Sequence, residues 1–356
     1  MYTIEYLQNF AIQVFIKIGC SKEDAATIAS VLTAAEKRGI PSHGMIRIKD
    51  YYQLWEKGRI NVKPDIKIEH ETPSTAVVNG GGAFGMVAAK KSMEIAIAKA
   101  KNAGTGWVST KNSNHFGIAG FYSMMALEED MIGIAMTNAN ALVSPTFSKS
   151  KLLGTNPIAV GVPTGKYPPF IADFATSPIA RGKLAIMGKK GEVAPSGFVQ
   201  DKEGIPSTDP DIITQGGAIL PLGGDYTHGS HKGYCMSAIV DIFSAVFSGA
   251  NFGPFVPPQV AYLPPKEESV GEGLGHFFGA MRIDAFQKAE DFKAQMDKWI
   301  KTFKNAESAQ GKPEVLIPGD PERIMEEKTN KEGVNILASV KDDLLKIASE
   351  LNIEFL

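Results

Sequence analysis

The sequence predicts an α/β protein in two units, a helical unit assembled from both chain ends and a central α/β unit between them. Three observations carry this. Apolar residues recur at helical spacing up to about residue 60, short β-like runs bounded by turn residues fill the middle, and helical texture returns after about residue 285. The units are accordingly drawn as 1–70 with 285–356, and 71–284. A chain of 356 residues, 44% of them hydrophobic, has ample material for a large core, most simply arranged as two units.

The first segment places Ile4, Leu7, Phe10, Ala11, Val14, Phe15 and Ile18 on one helical stripe, interrupted by Glu5, Gln8, Asn9, Gln13 and Lys17. That pattern is an amphipathic helix packed on a core, not the unbroken apolar stretch of a signal peptide. Ser21 stands where it can cap the next helix, with Asp24 at the acidic third position, and Gly39-Ile40-Pro41 ends it. Ser42 can cap a third helix carrying Met45 to Lys57. His43, Gly44 and Arg47 would then sit on its first turns, at the positive end of the helix dipole.

Strands are expected at 66–70, 75–79, 106–110, 132–136, 158–162 and 170–174, with a helix over 86–103 closed by Gly104. The Gly/Pro/Ser-rich stretch 186–230 reads as long loops. Tyr234 to Ser248 reads as an apolar helix that should be deeply buried, and helices over 286–303, 321–331 and 339–351 complete the chain.

Composition narrows the function classes. Thirty-seven Lys and Arg stand against 39 Asp and Glu, a net charge of -2 with no basic run, which speaks against a nucleic-acid partner. No run of about 18 apolar residues exists, so no membrane span or membrane partner is expected. Cys20 and Cys235 are too few for a disulfide framework or a thiolate zinc site, and fit a reducing, cytoplasmic setting.

The chemistry-bearing residues cluster in short runs of small polar residues. Lys111-Asn112-Ser113-Asn114-His115-Phe116-Gly117 ends on a histidine just past a strand, where general acid/base catalysis can use it. Ser42-His43-Gly44 with Arg47 supplies a second histidine and a planar cationic fork for a carboxylate. Together they suit a small anionic substrate. Gly80-Gly81-Gly82-Ala83-Phe84-Gly85 fits G-x-G-x-x-G, but no Asp or Glu ends the next strand at 108–112, so a local turn is the preferred reading over a dinucleotide fingerprint. Asp225, His228 and His231 lack a helix to align them and an obvious fourth ligand; a surface loop is preferred over a metal site. His70, His228 and His276 read as structural. Lys232-Gly233 at a helix start can meet a phosphate oxygen. Gly154-Thr155-Asn156-Pro157 and Asp173-Phe174-Ala175-Thr176-Ser177 can line a cofactor or form capped turns.

Ser42-His43-Gly44 with Arg47, Asn114-His115-Phe116-Gly117, Gly154 to Ala159, Asp173 to Ser177, Lys232-Gly233-Tyr234, Gly275 to Phe278 and Pro318 to Glu322 occur in an order that resembles the malate/L-lactate/sulfolactate dehydrogenase family, over nearly the whole chain. That family also contains ureidoglycolate dehydrogenase and 2,3-diketogulonate reductase. The resemblance implies a sulfolactate-dehydrogenase-like fold distinct from Rossmann, a homodimer, and NAD or NADP as cofactor in interconverting 2-oxo and 2-hydroxy acids by direct hydride transfer. It implies that His115 is the acid/base and that His43 and Arg47 serve the substrate, with the proton role open between the two histidines. It implies that Asp173, Phe174, Ala175, Thr176, Lys232, Gly233, Pro318 and Gly319 line the cofactor with Asn156, and that Asn138 and Asn140 lie near it. Reduction of a cyclic imine 2-carboxylate or a sugar-derived 2-oxo acid is the alternative within enzymes; a catalytically idle nucleotide-binding protein is the alternative outside them.

Overall fold

A computed structural model describes residues 1–356. Helices α1 (Ile4–Lys17), α2 (Lys22–Lys37) and α3 (Arg47–Glu56) open the chain. Ser21 Oγ accepts from Asp24 N at 3.0 Å, the expected cap. Ser42 does not cap α3, however. Pro41–His43 form a separate 3-10 turn, α3 begins only at Arg47 with no side-chain cap, and the Ser42 hydroxyl bonds His43 Nδ1 instead. Proline at the start of the turn has no N–H for a longer helix to use.

Strands β1 (Lys67–Glu71) and β2 (Thr75–Asn79), helix α4 (Gly85–Ala103), strand β3 (Thr105–Ser113), helix α5 (Ala119–Met125), and strands β4 (Met131–Thr137), β5 (Ile158–Val162) and β6 (Phe170–Phe174) follow. Then come α6 (Arg181–Lys190), the short strands β7 (Val199–Gln200), β8 (Pro206–Ser207) and β9 (Ala218–Ile219), α7 (Ser230–Asp241), β10 (Leu274–Arg282), α8 (Ala289–Lys304), α9 (Asp320–Glu332) and α10 (Ala338–Leu351).

The main sheet has the order β1-β2-β3-β10-β4-β5-β6. Only β2 and β3 are parallel, joined by the α4 crossover; every other neighbouring pair is antiparallel. That arrangement is unlike the parallel Rossmann sheet. The centre is occupied by β10, a strand contributed late in the chain and paired on both sides. Helices α4 and α5 cover one face. Their core joins Leu7, Phe10 and Val14 of α1 to Val108 of β3, Phe278 of β10, and Leu344 of α10, so the two chain ends and the sheet share one apolar interior across positions 70 and 284.

Two expectations are corrected. The stretch 186–230 is not simply loops: it carries the three-stranded sheet β8-β7-β9, which with α6 encloses a second core of Val143, Leu184, Val199 and Ile219. The apolar helix after Tyr234 is not deeply buried either. It is α7 continuing into a π-turn at Ile242–Val246, lying against β3 and β10 on the other sheet face, and Tyr234, Ile239, Ile242, Val246 and Phe247 stay exposed. Apolarity without a polar stripe signals coverage, but not by what. No helix is long and apolar enough to cross a membrane.

Candidate active site

His115 is delivered by the loop that leaves β3, and the glycine run is what seats that loop. Asn114 Nδ2 donates to Gly82 O at 3.1 Å and to Ala83 O at 2.8 Å. A Cβ on Gly85 would stand 2.1 Å from Asn114 O and 2.4 Å from His115 O. The amides a phosphate would need are occupied: Gly80 N donates to Lys111 O, Gly82 N to Asn112 O, and Gly81 N to Asn79 Oδ1. Gly81 and Gly82 adopt φ of 63° and 71°, the left-handed region that glycine enters without Cβ strain. The G-x-G-x-x-G run is thus the footing of His115.

Three elements converge on that residue. Tyr51 of α3, fully buried, places Oη 2.7 Å from His115 Nδ1. The His43 ring, from the 3-10 turn, lies 5.5 Å from the His115 ring at 25° between planes. Arg47, at the head of α3, spends Nε on Ser42 O at 2.8 Å and Nη1 on Asp50 Oδ2 at 3.0 Å, which leaves Nη2 for a ligand. Beneath the turn, buried Glu36 accepts from Met45 N at 2.7 Å, and a Cβ on Gly44 would stand 2.2 Å from its Oε1. Burial lifts the Glu36 carboxyl to about 7.

These residues open onto a cleft of about 350 Å³, lined also by Thr137, Asn140, Thr155, Arg181 and Tyr262. Asp50 is its only carboxylate. Burial first, and the Arg47 charge second, hold His43 down at about 3 and His115 well below the ordinary imidazole value. Both rings are half-exposed to the cleft, so solvent reaches what the surrounding protein desolvates.

The expected cofactor residues divide three ways. Asn140 and Thr155 line the cleft. Asp173, Phe174, Pro318 and Gly319 gather along the open edge of β6: Asp173 Oδ2 accepts from Gly120 N at 2.8 Å at the start of α5, Ile171 N donates to Pro318 O at 3.1 Å, and Phe174 is exposed, with Ala175 half-buried beside it. Lys232 is exposed on the first turn of α7. Gly233 beside it is a packing glycine, since its Cβ would meet Leu222 O at 2.2 Å; Leu222 N in turn donates to Thr176 O.

The third group is buried. Asn138 is wholly buried, its amide donating to Asp241 Oδ1 and Asn251 O and accepting from Gly275 N. Asn156, also buried, holds Ser237 O and Ala139 N from a left-handed φ of 35°. Thr176 turns its buried hydroxyl to Thr155 O and Asn156 O. In all three the side chain is buried and bonded within the protein.

His276 is structural: fully buried, bonded at both nitrogens to Thr137 Oγ1 and Ser113 Oγ, and stacked on Phe116 at 4.8 Å. Asp225 accepts from His228 N and Nδ1, and no three His, Cys, Asp or Glu side chains are arranged to hold a metal ion. Sequence reasoning missed Asp50 and Tyr51, though their i+3 and i+4 spacing from Arg47 was the available signal. It also missed Glu36, Arg181 and Tyr262, which only the tertiary fold brings near.

A paired histidine site with an arginine fork, on a mixed sheet wrapped by both chain ends, is an arrangement chemically able to move a proton beside a small anion. The family model for malate/L-lactate dehydrogenase matches residues 2–345, and the chain belongs to that family of oxidoreductases. It is 39% identical to a malate dehydrogenase of Pyrococcus abyssi over 98% of this chain and 94% of that protein. It superposes with a TM-score of 0.90 on sulfolactate dehydrogenase from Methanocaldococcus jannaschii, 40% identical, covering 99% and 97% of the two chains. Ureidoglycolate dehydrogenase (NAD(+)) of Escherichia coli is 30% identical over 93% of this chain and 90% of that protein.

Proposed function

We propose that this protein interconverts a 2-oxo acid and a 2-hydroxy acid with a nicotinamide cofactor, NAD or NADP, His115 handling the proton. The observation that carries it is the His115 ring, half-exposed in the cleft, held at Nδ1 by Tyr51 and faced by Arg47 and His43. The relatives support the reaction class, being named for malate, sulfolactate and ureidoglycolate.

The donor set fits the cofactor. Asn140 and Thr155 offer uncharged hydrogen-bonding groups in the cleft that holds His115, and no carboxylate other than Asp50 lines it. Asp173, Phe174, the Pro318-Gly319 turn and Lys232 would hold the remainder. When bound, the cofactor supplies or takes up the hydride.

The chain does the rest. Arg47 Nη2, with His43, grips the substrate carboxylate and orients C2 toward His115. Tyr51 Oη can donate to Nδ1 or accept from it, so Nε2 can present either a lone pair or a proton to the cleft. For oxidation, neutral imidazole takes the hydroxyl proton. For reduction the ring must be charged, and the bound carboxylate favours this by offsetting the Arg47 field that otherwise opposes it.

His115→Ala is expected to lower kcat roughly 10²–10⁴-fold while leaving cofactor binding intact. Near-normal turnover would transfer the proton role to His43. A cyclic imine 2-carboxylate, tested alongside 2-oxo acids, separates the two reductase readings. The reading includes a cytoplasmic setting and a homodimer, and the exposed apolar face of α7 and its π-turn supports the homodimer.

A further inference from the structure

Part of the cleft wall is a segment without secondary structure. Between the 3-10 turn at Gly253–Phe255 and β10, Gln259, Val260 and Tyr262 line the cleft, bracketed by Pro257-Pro258 and Pro264-Pro265. No backbone–backbone hydrogen bond is made by residues 257–268. Proline lacks an N–H and fixes φ, so the bracketed residues form a stiff strap that no strand pairing holds. Their carbonyls are bonded by side chains instead. Arg59 donates from Nη2 to Pro258 O at 2.7 Å, and from Nη1 to Leu263 O at 3.1 Å and Val260 O at 3.3 Å. Lys57 Nζ donates to Ala261 O at 2.7 Å. Arg59 is half-buried; burial lowers its guanidinium from the ordinary value, and no carboxylate offsets that. Both cations follow directly on α3, the helix that carries Arg47 at its head and the Tyr51 that bonds His115. One helix therefore supplies the reacting side of the cleft from its first turns and ties down the strap from its exit.

We infer that Arg59, assisted by Lys57, is a positioning residue that clamps the 259–263 strap as a wall of the substrate cleft, keeping Gln259, Val260 and Tyr262 in place around the bound substrate. The inference rests on the 2-oxo acid reading above for what occupies the cleft, and on geometry alone for the clamp. A released strap carries Tyr262 Oη away from Arg181 Nη2, its partner at 2.9 Å, and opens the cleft to water. His115 stays where it is, because Tyr51 and the Gly82–Ala83 carbonyls hold its loop independently of the strap. Loss of the clamp therefore weakens substrate binding more than it slows the proton step.

The test compares wild type with Arg59→Met, Arg59→Lys and Lys57→Met in two measurements. Subtilisin cleavage between Gln259 and Leu263, located by fragment mass, should be roughly 10-fold faster in Arg59→Met. Arg59→Lys and Lys57→Met should lie between it and wild type, since each keeps part of the set of bonds. KM for oxaloacetate, sulfopyruvate and pyruvate should rise roughly 10–100-fold in Arg59→Met, with kcat within about 3-fold of wild type. A variant that is merely destabilised loses active protein, which lowers apparent kcat and leaves KM unchanged. Lys57 is exposed and makes a single bond to the strap, so Lys57→Met carries both comparisons if Arg59→Met does not fold. Unchanged cleavage in the folded variants overturns the clamp. Faster cleavage with unchanged KM, or a fall in kcat alone, overturns the positioning role while leaving the 2-oxo acid reading in place. Wild-type silence on all three acids overturns that reading instead, and the cleavage rates then decide the clamp.

Discussion

At the residue scale, burial and then the Arg47 charge hold His115 well below the ordinary imidazole value, so the proposed reaction requires its proton uptake to be coupled to substrate binding. An anion placed against Arg47 should draw a proton onto the site. Oxamate binding to the cofactor-loaded enzyme at pH 7 should therefore take up a proton, measured as a dependence of binding heat on buffer ionisation enthalpy; a heat independent of buffer contradicts the coupling. Tyr51→Phe removes one buried hydrogen bond to Nδ1, and should lower kcat about 10-fold with little change in cofactor affinity. That His43, His115 and Arg47 share one cleft was legible in the sequence because each stands in a small polar run of the kind that lines sites rather than cores. The internal bonding of Asn138 and Asn156 was not legible, for the converse reason. An asparagine in such a run can equally spend its amide on the backbone, and only the fold reveals the partners.

At the element scale, most of the secondary structure followed from periodicity, and β2, β5 and β6 lie at the expected positions. The central strand β10 was not expected. Buried on both faces over most of its length, it shows no alternation, and its two glycines read as turn residues. That strand carries His276, which burial holds at about 3. The unfolded chain binds a proton below about pH 6.5 that the folded protein refuses until about pH 3, so stability falls as pH drops through this window. Glu36 acts oppositely: its raised carboxyl stabilises fully below pH 4.5 and loses that contribution as pH rises through about 7. Replacing His276 by Gln should flatten the acid side of the stability curve by up to about 1.4 kcal/mol per pH unit, read from denaturant midpoints. An unchanged slope would place the acid sensitivity elsewhere. The Gly80–Gly85 turn gives a second test. Gly85→Ala forces Asn114 and His115 backbone to move, so it should cost activity together with about 1–3 kcal/mol of stability. A fully active Gly85→Ala enzyme would show that the glycine does not seat His115.

At the scale of the whole molecule, the joining of both chain ends was legible because helical texture stops and resumes, and α1 and α10 do meet in one core. What covers the far face of the sheet was not. Phe243, Phe247 and Phe277 form an aromatic cluster there, with Val246 and Phe247 exposed at its edge. A homodimer would bury this face. Sedimentation should report twice the 38.2 kDa chain mass, and Phe247→Asp with Val246→Asp should shift it to one. A monomeric wild type would rule the dimer out.

The measurement that bears most directly on the account is NADH and NADPH oxidation by the purified protein across 2-oxo acids, in wild type and His115→Ala. The account predicts turnover of at least one 2-oxo acid with at least one cofactor, lost by roughly 10²–10⁴-fold in the variant. A wild type that binds the cofactor with a saturable fluorescence change yet turns over none of the acids would contradict it.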